Sequence, residues 1–352
     1  MTSTPLLLYG ATGYTARLIL DEALAKGLRP VLSGRNAHAV GALAAAHGLE
    51  ARPAALGDAT ALDAALTGMR VVLHCAGPFG RTMPPMLEAC LRNRVHYLDI
   101  TGEIAVFERL AAADARARDA GIVLLPGVGF DVVPSDCLAA HLARRLPSAT
   151  ALTLAFTGGT GPSRGTATTM VENIAQGGAV RRGGRIERVP SAWRSRAIDF
   201  GDRVRQCVTI PWGDVSTAWH STGIPNITVF TAMSRRAVRW LRVLRPITPL
   251  LATGPLQRFL KRRIDARPAG PSAARREGAR SHLWGEATAA NGRAVRASLE
   301  APDGYTLTAL TAVEAARRVL GNGIAAGFQT PSRAFGPDFI LGFPRTQRVD
   351  LP

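Results

Sequence analysis

The most informative stretch of this chain is LLLYGATGYTA, residues 6–16. An apolar strand runs into a glycine turn and then into a helical pattern, as at the start of a nucleotide-binding domain. Gly10 permits the tight turn, Gly13 lets the backbone approach a pyrophosphate, and the small Ala16 lets the helix pack on the strand. The spacing is G-x-x-G-x-x-A, so the turn alone leaves open a strand–turn–helix that binds nothing.

A second strand end indicates which nucleotide would bind. The strand Pro30–Ser33 leads into Gly34-Arg35-Asn36, about twenty residues after the turn, where an NAD-binding domain usually has an acid. An arginine can pair with a 2′-phosphate through its planar guanidinium. The sequence therefore predicts NADP(H) over NAD(H), with the alternative that Arg35 is one exposed arginine among many. A third apolar run, Val71–Ala76, ends at the same edge in Gly77-Pro78-Phe79-Gly80.

The first part of the chain predicts an α/β fold with a Rossmann-like, doubly wound parallel sheet, because short apolar runs alternate with helical stretches. The predicted strands are Leu6–Tyr9, Pro30–Ser33, Ala51–Pro53, Val71–Cys75, His96–Asp99 and Ile122–Leu125. The predicted helices start near Thr15, Ala37, Asp58, Pro84 and Glu103. We expect residues 1–150 to form the NADP-binding domain, together with helices that return from about 309–352.

Residues 151–308 predict a second α+β domain, for substrate binding and dimerisation, with a mixed or antiparallel sheet. Its predicted strands are Ala151–Thr157, Val204–Pro211, Asn226–Met233 and Arg293–Ala301, and its predicted helix is Gly165–Gly177. The helices Pro134–Arg145 and Ala309–Gly321 are expected to brace the nucleotide domain. The Arg-, Pro- and Gly-rich residues 262–280 predict a mobile loop.

Residues 238–264 combine apolar side chains with arginines, and Pro246, Pro249 and Pro255 would break them into two helical pieces. Two interpretations are open. The segment is a helical cap of the substrate domain or a dimer contact, or it is a basic amphipathic lid that touches a membrane surface or admits an acyl chain. Both interpretations predict an exposed or mobile apolar face.

The composition limits the class of protein. The 352 residues are 47% hydrophobic, enough for a folded core, and carry a formal net charge of +17. Only Lys26 and Lys261 are lysines, so the excess of arginine reflects codon bias, and without a basic tail or zinc finger we expect no nucleic-acid partner. The four cysteines lack C-x-x-C spacing, which predicts a reduced cytoplasmic protein with no metal site. Because the first predicted strand starts close to the N-terminus, we expect no secretory leader.

Further motifs at strand ends resemble the saccharopine dehydrogenase-like oxidoreductases, and most closely their trans-acting enoyl reductase branch. The resemblance covers most of the chain, and its motifs are residues 10–15, 33–35, 76–79, 96–103, 127–136, 158–160, 270–272, 285–287 and 329–336. It implies an NADP(H)-dependent reductase that acts on double bonds in lipid- or polyketide-derived chains. The apolar segment 238–264 suits such a hydrophobic small-molecule substrate better than an amino acid.

The candidate cofactor-binding residues lie at these predicted strand ends. They are Gly10, Ala11, Thr12, Gly13, Tyr14, Thr15, Ser33, Gly34, Arg35, Ala76, Gly77, Pro78, Phe79, Thr101, Gly102, Gly129 and Phe130. Reduction of a C=C or C=N bond needs a proton donor beside the hydride donor. The candidates are Tyr97, Asp99 and Asp131, with Glu103 also at a strand end.

Each acid has a structural alternative. Asp99 suits a helix N-cap, and Asp131 suits a turn cap. Thr101 and Ser135 could orient substrate, His74 is expected in a satisfied buried site, and His220 is a weaker candidate (all). Without an obvious donor, a non-catalytic NADP(H)-binding sensor or scaffold remains an alternative. We also expect a homodimer.

Overall fold

The computed structural model describes residues 4–173, 177–243, 245 and 253–352. The chain divides into two compact units. Unit 1 is the chain up to Val133 together with Tyr305–Ala334, and unit 2 is Pro134–Gly304 together with Phe335–Pro352.

The elements follow in chain order. The strands are β1 (Leu6–Tyr9), β2 (Val31–Ser33), β3 (Val71–His74), β4 (His96–Asp99), β5 (Val123–Leu125), β6 (Ala149–Gly158), β7 (Gly178–Arg182), β8 (Arg185–Val189), β9 (Ser195–Asp199), β10 (Val204–Thr209), β11 (Asn226–Ala232), β12 (Arg280–Ala289), β13 (Ala294–Pro302), β14 (Gly327–Phe328) and β15 (Gln347–Leu351). The helices are α1 (Tyr14–Ala25), α2 (Ala37–His47), α3 (Ala59–Leu66), α4 (Phe79–Asn93), α5 (Ile104–Ala112), α6 (Asp114–Ala120), α7 (Val133–Arg145), α8 (Arg164–Asn173), α9 (Asp214–Thr222), α10 (Arg235–Val243), α11 (Gly254–Asp265), α12 (Ala273–Glu277), α13 (Gly304–Leu320) and α14 (Pro331–Phe335).

Unit 1 is built on a parallel sheet. Within the described residues the sheet has six strands in the order β2-β1-β3-β4-β5-β14. Strands β1 to β5 are almost entirely buried, which explains the mainly apolar sequences of β1, β2, β3 and β5. The order reverses between β1 and β3, the point of a doubly wound sheet where nucleotides bind. The predicted fold class is thereby confirmed for this unit.

Two local predictions in unit 1 are wrong. The strand expected at Ala51–Pro53 is reduced to a single parallel bridge between Ala51 and Leu32. Helix α4 begins at Phe79 instead of near Pro84, and it contains Pro84 and Pro85 in its interior. Its true start is fixed by a carboxylate distant in sequence, described below with the site.

Unit 2 contains a mixed sheet, as predicted. The described strands form the order β15-β13-β12-β6-β11-β10-β9, and the hairpin β7–β8 joins at β11. Strands β6 and β11 pair in parallel, whereas β12 pairs antiparallel with both β6 and β13. A small core of Ala155, Phe230, Trp284 and their neighbours packs on this sheet.

The boundary between the units differs from the predicted one at residues 150–151 and 308–309. Helix α7 belongs to unit 2, because Leu138 and Leu142 pack directly over Gly285 of β12. The last strand, β15, also belongs to unit 2, because it pairs with β13. Most of α13 returns to unit 1.

The arginine-rich part of unit 2 is more ordered than predicted. Residues 262–280 are not one loop, since α11 continues to Asp265 and α12 occupies Ala273–Glu277. The segment 238–264 contains parts of α10 and α11, and Pro255 starts α11 instead of breaking it. The predicted breaks at Pro246 and Pro249 lie outside the described residues. No described helix is long and apolar enough to cross a membrane.

Candidate cofactor site

The turn between β1 and α1 has almost no free space on its inner side. Gly10 has a φ of +79°, and a Cβ placed there would lie 2.9 Å from the Cβ of Ala76. The amides of Gly10 and Ala11 both donate to the carbonyl of Ser33, at 2.9 and 3.1 Å. The turn is therefore fixed against the ends of β2 and β3, and Gly10 is required both for its φ and for its closeness to Ala76.

The N-terminus of α1 opens outward from this turn. Its N-cap is Gly13, which gives no side-chain cap, and the first turn of the helix carries no acid. Thr12 and Gly13 are exposed, and a Cβ on Gly13 would meet only the carbonyl oxygen of Gly10, at 3.2 Å. The ring of Tyr14 packs edge-on against Tyr305 of α13, 5.2 Å away. A helix N-terminus of this kind is a site for a phosphate group.

At the end of β2, Ser33 and Arg35 were both predicted to bind the cofactor, but they have different surroundings. Ser33 is fully buried and its hydroxyl donates to the carbonyl of Arg52 at 2.7 Å, so it holds the chain rather than a ribose. Arg35 is exposed, and among the described residues it has no hydrogen bond or ion pair. Its charge opposes the effect of burial, which raises the pKa of Tyr9. Arg35 is thus available for a phosphate on the ribose.

Glu103 caps helix α4. Its two carboxylate oxygens accept the backbone amides of Phe79 and Gly80, at 2.7 and 3.0 Å. A negative charge at a helix N-terminus is favourable, and these two amides would otherwise lack intrahelical acceptors. Glu103 is therefore a structural residue instead of the proton donor that its position suggested. The backbone amide of Phe79, a predicted cofactor-binding residue, already donates to Glu103. The contact joins residues over twenty positions apart, so no local signal in the sequence reveals it.

His74 is buried beside the rings of Tyr9, Phe79 and Tyr97. Its Nε2 lies 3.0 Å from the hydroxyl of Thr82, which itself donates to the carbonyl of Pro78. Burial lowers the pKa of His74 to about 3, so the ring is neutral. Its Nδ1 has no hydrogen-bond partner in the part of the chain that the structure describes, so the expected satisfied site is only half satisfied there.

Asp99 connects three segments at the end of β4. One oxygen accepts the amides of Thr101 and Gly127, at 3.0 and 2.9 Å, and the other accepts the hydroxyl of Tyr97 at 2.7 Å. Both Tyr97 and Asp99 are fully buried. Burial raises the pKa of Asp99 to about 6 against the opposing effect of these hydrogen bonds, and it raises that of Tyr97 well above its usual range. The two groups fix the turns on which the site is built, and neither is exposed to a ligand.

Asp131 differs from Asp99 in that the residue is partly exposed. Its carboxylate packs on Gly102, where an added Cβ would lie 2.7 Å from Oδ2. Burial raises its pKa to about 6. Of the three predicted donors, Asp131 is the one that the structure places at the surface of unit 1, beside the turn after β4.

Helix α13 supports the loop that follows β5. The amide of Phe130 donates to the hydroxyl of Thr308 at 3.0 Å, and Thr311 donates to the carbonyl of Val128 at 2.8 Å. A Cβ on Gly129 would lie 2.9 Å from a methyl carbon of Thr308, so glycine is needed for this close approach. Sequence reasoning missed Thr308 and Tyr305, because both come from a segment more than 170 positions later.

The predicted cofactor residues therefore share one edge but not one function. Gly10, Thr12, Gly13 and Arg35 form the open part of the edge, whereas Ala11, Ser33 and Thr101 are buried behind it. Thr101 accepts the amide of Glu103 at 3.1 Å, so its hydroxyl serves the turn. Among the described residues, no cluster of three or more His, Cys, Asp or Glu side chains could hold a metal ion.

This edge, on a doubly wound parallel sheet, defines unit 1 as a dinucleotide-binding domain. Comparison with known proteins identifies its type: residues 6–125 match the family model of the saccharopine dehydrogenase NADP binding domain. The match confirms NADP(H) as the cofactor of this unit and confirms the family resemblance for this part of the chain.

Curated relatives carry the name trans-acting enoyl reductase. The protein from Mycobacterium tuberculosis is 31% identical over 148 residues, which are 40% of this chain and 35% of that protein. The protein from Mycobacterium leprae is 34% identical over 151 residues, 40% of this chain and 36% of that protein. The matched region thus spans about a third of the length of these relatives.

The fold is shared with a solved structure over nearly its whole length. Saccharopine dehydrogenase (L-Glu forming) from Saccharomyces cerevisiae superposes with a TM-score of 0.66 and covers 99% of each chain. The two sequences are 14% identical, so this likeness establishes the fold alone.

Proposed function

We propose that this chain is an NADP(H)-dependent oxidoreductase that reduces a polarised C=C or C=N bond of a hydrophobic substrate. The carrying observation is the open edge of unit 1, where α1 begins without a side-chain cap and Arg35 has no ion pair within the described residues. The same unit holds the partly exposed Asp131, whose pKa is about 6. The bound cofactor would supply the hydride. The name enoyl reductase carried by the curated relatives favours a C=C bond.

In this proposal Asp131 supplies the proton. A carboxyl with a pKa of about 6 is protonated in a useful fraction of molecules near neutral pH, unlike an ordinary aspartic acid. Asp99 and Tyr97 are positioning residues, because Asp99 holds the turn after β4 and the start of the loop after β5. Asp131 contacts the first of these turns at Gly102.

A second candidate is a sensor that binds NADP(H) without turnover. The observation in its favour is that Tyr97 and Asp99 are hydrogen-bonded to each other and buried, so that of the three predicted donors Asp131 alone is left for chemistry. The two candidates share the cofactor and differ in whether bound NADPH is ever oxidised.

Cofactor preference is tested with Arg35→Asp. The variant loses a charge-assisted contact with the 2′-phosphate, so we expect NADPH affinity to fall by about 1–3 kcal/mol while NADH affinity changes little. The measurement is a titration with each cofactor followed by nicotinamide fluorescence. Arg109→Asp, at an exposed arginine near the end of α5, is the matched control. Equal losses for both cofactors would show that Arg35 does not read the 2′-phosphate.

Turnover is tested by adding acyl enones and imines to the NADPH complex. Oxidation of NADPH by one class of compound supports the reductase and identifies the bond. Tight NADPH binding with no oxidation by either class favours the sensor. No NADPH binding at all would contradict both candidates.

A further inference from the structure

Helix α10 in unit 2 presents apolar side chains to solvent. Val238 is buried and packs with Ala192 and Val208. On the other side of the helix, Trp240 is 64% exposed and Val243 is 61% exposed. A surface helix ordinarily buries its apolar stripe and exposes polar residues, so a second, outward apolar side indicates an interaction surface.

The same helix is strongly basic. Its nine residues include Arg235, Arg236, Arg239 and Arg242 and no acid. Arg242 is used internally, because its guanidinium donates to the carbonyl of Ala192 at 3.1 Å. Arg236 and Arg239 are exposed, and within the described residues they have no hydrogen bond or ion pair. We name Arg236, Arg239, Trp240, Leu241 and Val243 the α10 surface.

Two further features of unit 2 have the same chemistry. An open groove of about 410 Å³ runs along α10, where Arg235 and Arg239 lie with the polar side chains of Ser195 and Gln206. Helix α11 exposes Phe259, at 57%, among arginines. Basic and apolar side chains thus occur together in both features.

We propose that the α10 surface docks on a bilayer that contains anionic phospholipid. Tryptophan and aliphatic side chains favour the boundary between head groups and acyl chains, and arginines beside them pair with lipid phosphates. The charge argues against a second copy as the occupant, because two such basic helices would repel each other. The aliphatic Leu241 and Val243 argue against nucleic acid, which is bound by basic and aromatic residues. The proposal does not depend on the reaction proposed above.

The test is flotation of the full chain with vesicles of phosphatidylcholine, with and without phosphatidylglycerol. We expect binding to the anionic vesicles only. The double variant Arg236→Gln/Arg239→Gln should bind them more weakly, by about 5-fold for each arginine. Trp240→Ser/Val243→Ser should lower binding by about tenfold, because the apolar anchor is lost.

Matched controls are available elsewhere in unit 2. Arg293→Gln removes an exposed arginine at the opposite end of the unit 2 sheet from α10. Strand β11, which leads to α10, ends beside Phe156 near the end of β6, whereas the turn that contains Arg293 lies beside Ala149 at the start of β6. Val349→Ser removes a 45% exposed valine on the edge strand β15. Both controls should float like the parent chain, and NADPH titration should show that every variant retains a folded unit 1.

Several outcomes would overturn the proposal. One is equal flotation with both kinds of vesicle, and another is equal flotation of all the variants. A concentration-dependent dimer in sedimentation velocity, lost in Trp240→Ser/Val243→Ser, would instead assign the surface to a second copy. Tight binding of RNA or DNA that is lost in Arg236→Gln/Arg239→Gln, without vesicle binding, would assign it to nucleic acid.

Discussion

Two carboxyl groups of unit 1 have the same raised pKa in different surroundings. Asp99 and Asp131 both reach a pKa of about 6 through burial. Asp99 is completely enclosed, and both its oxygens are occupied by donors from the protein. Asp131 keeps part of its surface exposed. A perturbed pKa therefore marks a candidate for chemistry only where a ligand can also reach the group.

The proton-donor role of Asp131 predicts a pH dependence. The donor must be protonated, so kcat/KM for reduction should be highest below about pH 6 and fall about tenfold for each further unit above it. Asp131→Asn should abolish this fall in kcat/KM above pH 6 and lower kcat/KM by about 10²–10⁴-fold. The measurement is kcat/KM against pH, with NADPH affinity measured in parallel.

Asp119→Asn is the matched control for that prediction, because Asp119 is exposed on α6. Its pH profile should equal that of the parent enzyme. An unchanged fall in kcat/KM above pH 6 in Asp131→Asn would mean that the proton comes from another group. A loss of NADPH affinity equal to the loss of rate would mean that Asp131 acts in binding alone.

At the scale of elements, the two glycines of the β1–α1 turn have different roles: Gly10 stabilises the fold, and Gly13 leaves space for a ligand. Gly10→Ala should lower the free energy of unfolding by about 1–3 kcal/mol, because φ is +79° and the new Cβ meets Ala76 at 2.9 Å. Gly13 has a φ of −70°, which any residue adopts, so Gly13→Ala should change stability by less than about 1 kcal/mol. Its methyl group would nevertheless occupy the exposed approach to the helix N-terminus and weaken NADPH binding.

Urea denaturation and NADPH titration of both variants distinguish these effects. Equal losses of stability in Gly10→Ala and Gly13→Ala would contradict the assignment of different roles to the two glycines. Full NADPH affinity in a folded Gly13→Ala variant would show that the phosphates do not approach this residue.

The cap on α4 gives a second prediction at this scale. In Glu103→Gln one carboxylate oxygen becomes an NH₂ group that faces an amide donor, and the charge at the helix N-terminus is lost. We expect the free energy of unfolding to fall by about 1–2 kcal/mol. Glu88→Gln on the same helix breaks only an exposed ion pair with Arg116, so it should cost less than about 1 kcal/mol. Comparable losses of unfolding free energy in the two variants would contradict the assignment of Glu103 as the cap of α4.

The sequence predicts the elements of unit 1 well where the signal is local. The apolar run of β1 identifies that strand to the residue, and the predicted bounds of β4 are also those of the structure. The side chains of Asn36 and Asp58 cap α2 and α3 near the predicted helix starts. The start of α4 is missed because Glu103, far along the chain, supplies the cap.

Strand β12 is missed for a related reason. Gly285 in its middle reads as a breaker, whereas in the structure it admits Leu142 of α7, which a Cβ would approach to 2.6 Å. The same limit applies to the candidate site. The exposed glycines and Arg35 follow from local spacing, but the burial of Asp99 and the support from Thr308 follow from tertiary contacts.

At the scale of the whole molecule, unit 1 is discontinuous in sequence. Its sheet is completed by β14, and its loop after β5 is held by α13, both from Tyr305–Ala334. A fragment that ends at Val133 should therefore lack NADPH binding, whereas the same fragment joined by a flexible linker to 305–334 should regain it. The measurement is the NADPH titration with circular dichroism as a check of folding. Full affinity in the shorter fragment would show that the returning segment is dispensable.

The position of β14 also sets an order of events during synthesis. The 171 residues of Pro134–Gly304 leave the ribosome after β5 and before Tyr305–Ala334, which contains the strand β14 that pairs with β5. At usual elongation rates this takes about 10–30 s, far longer than a small domain needs to collapse. During that interval the side of β5 that later pairs with β14 has no partner strand, so unit 2 can begin to fold before unit 1 is complete. A nascent chain stalled just before Tyr305 would expose this edge to other polypeptides, which makes it the natural point for a chaperone to act.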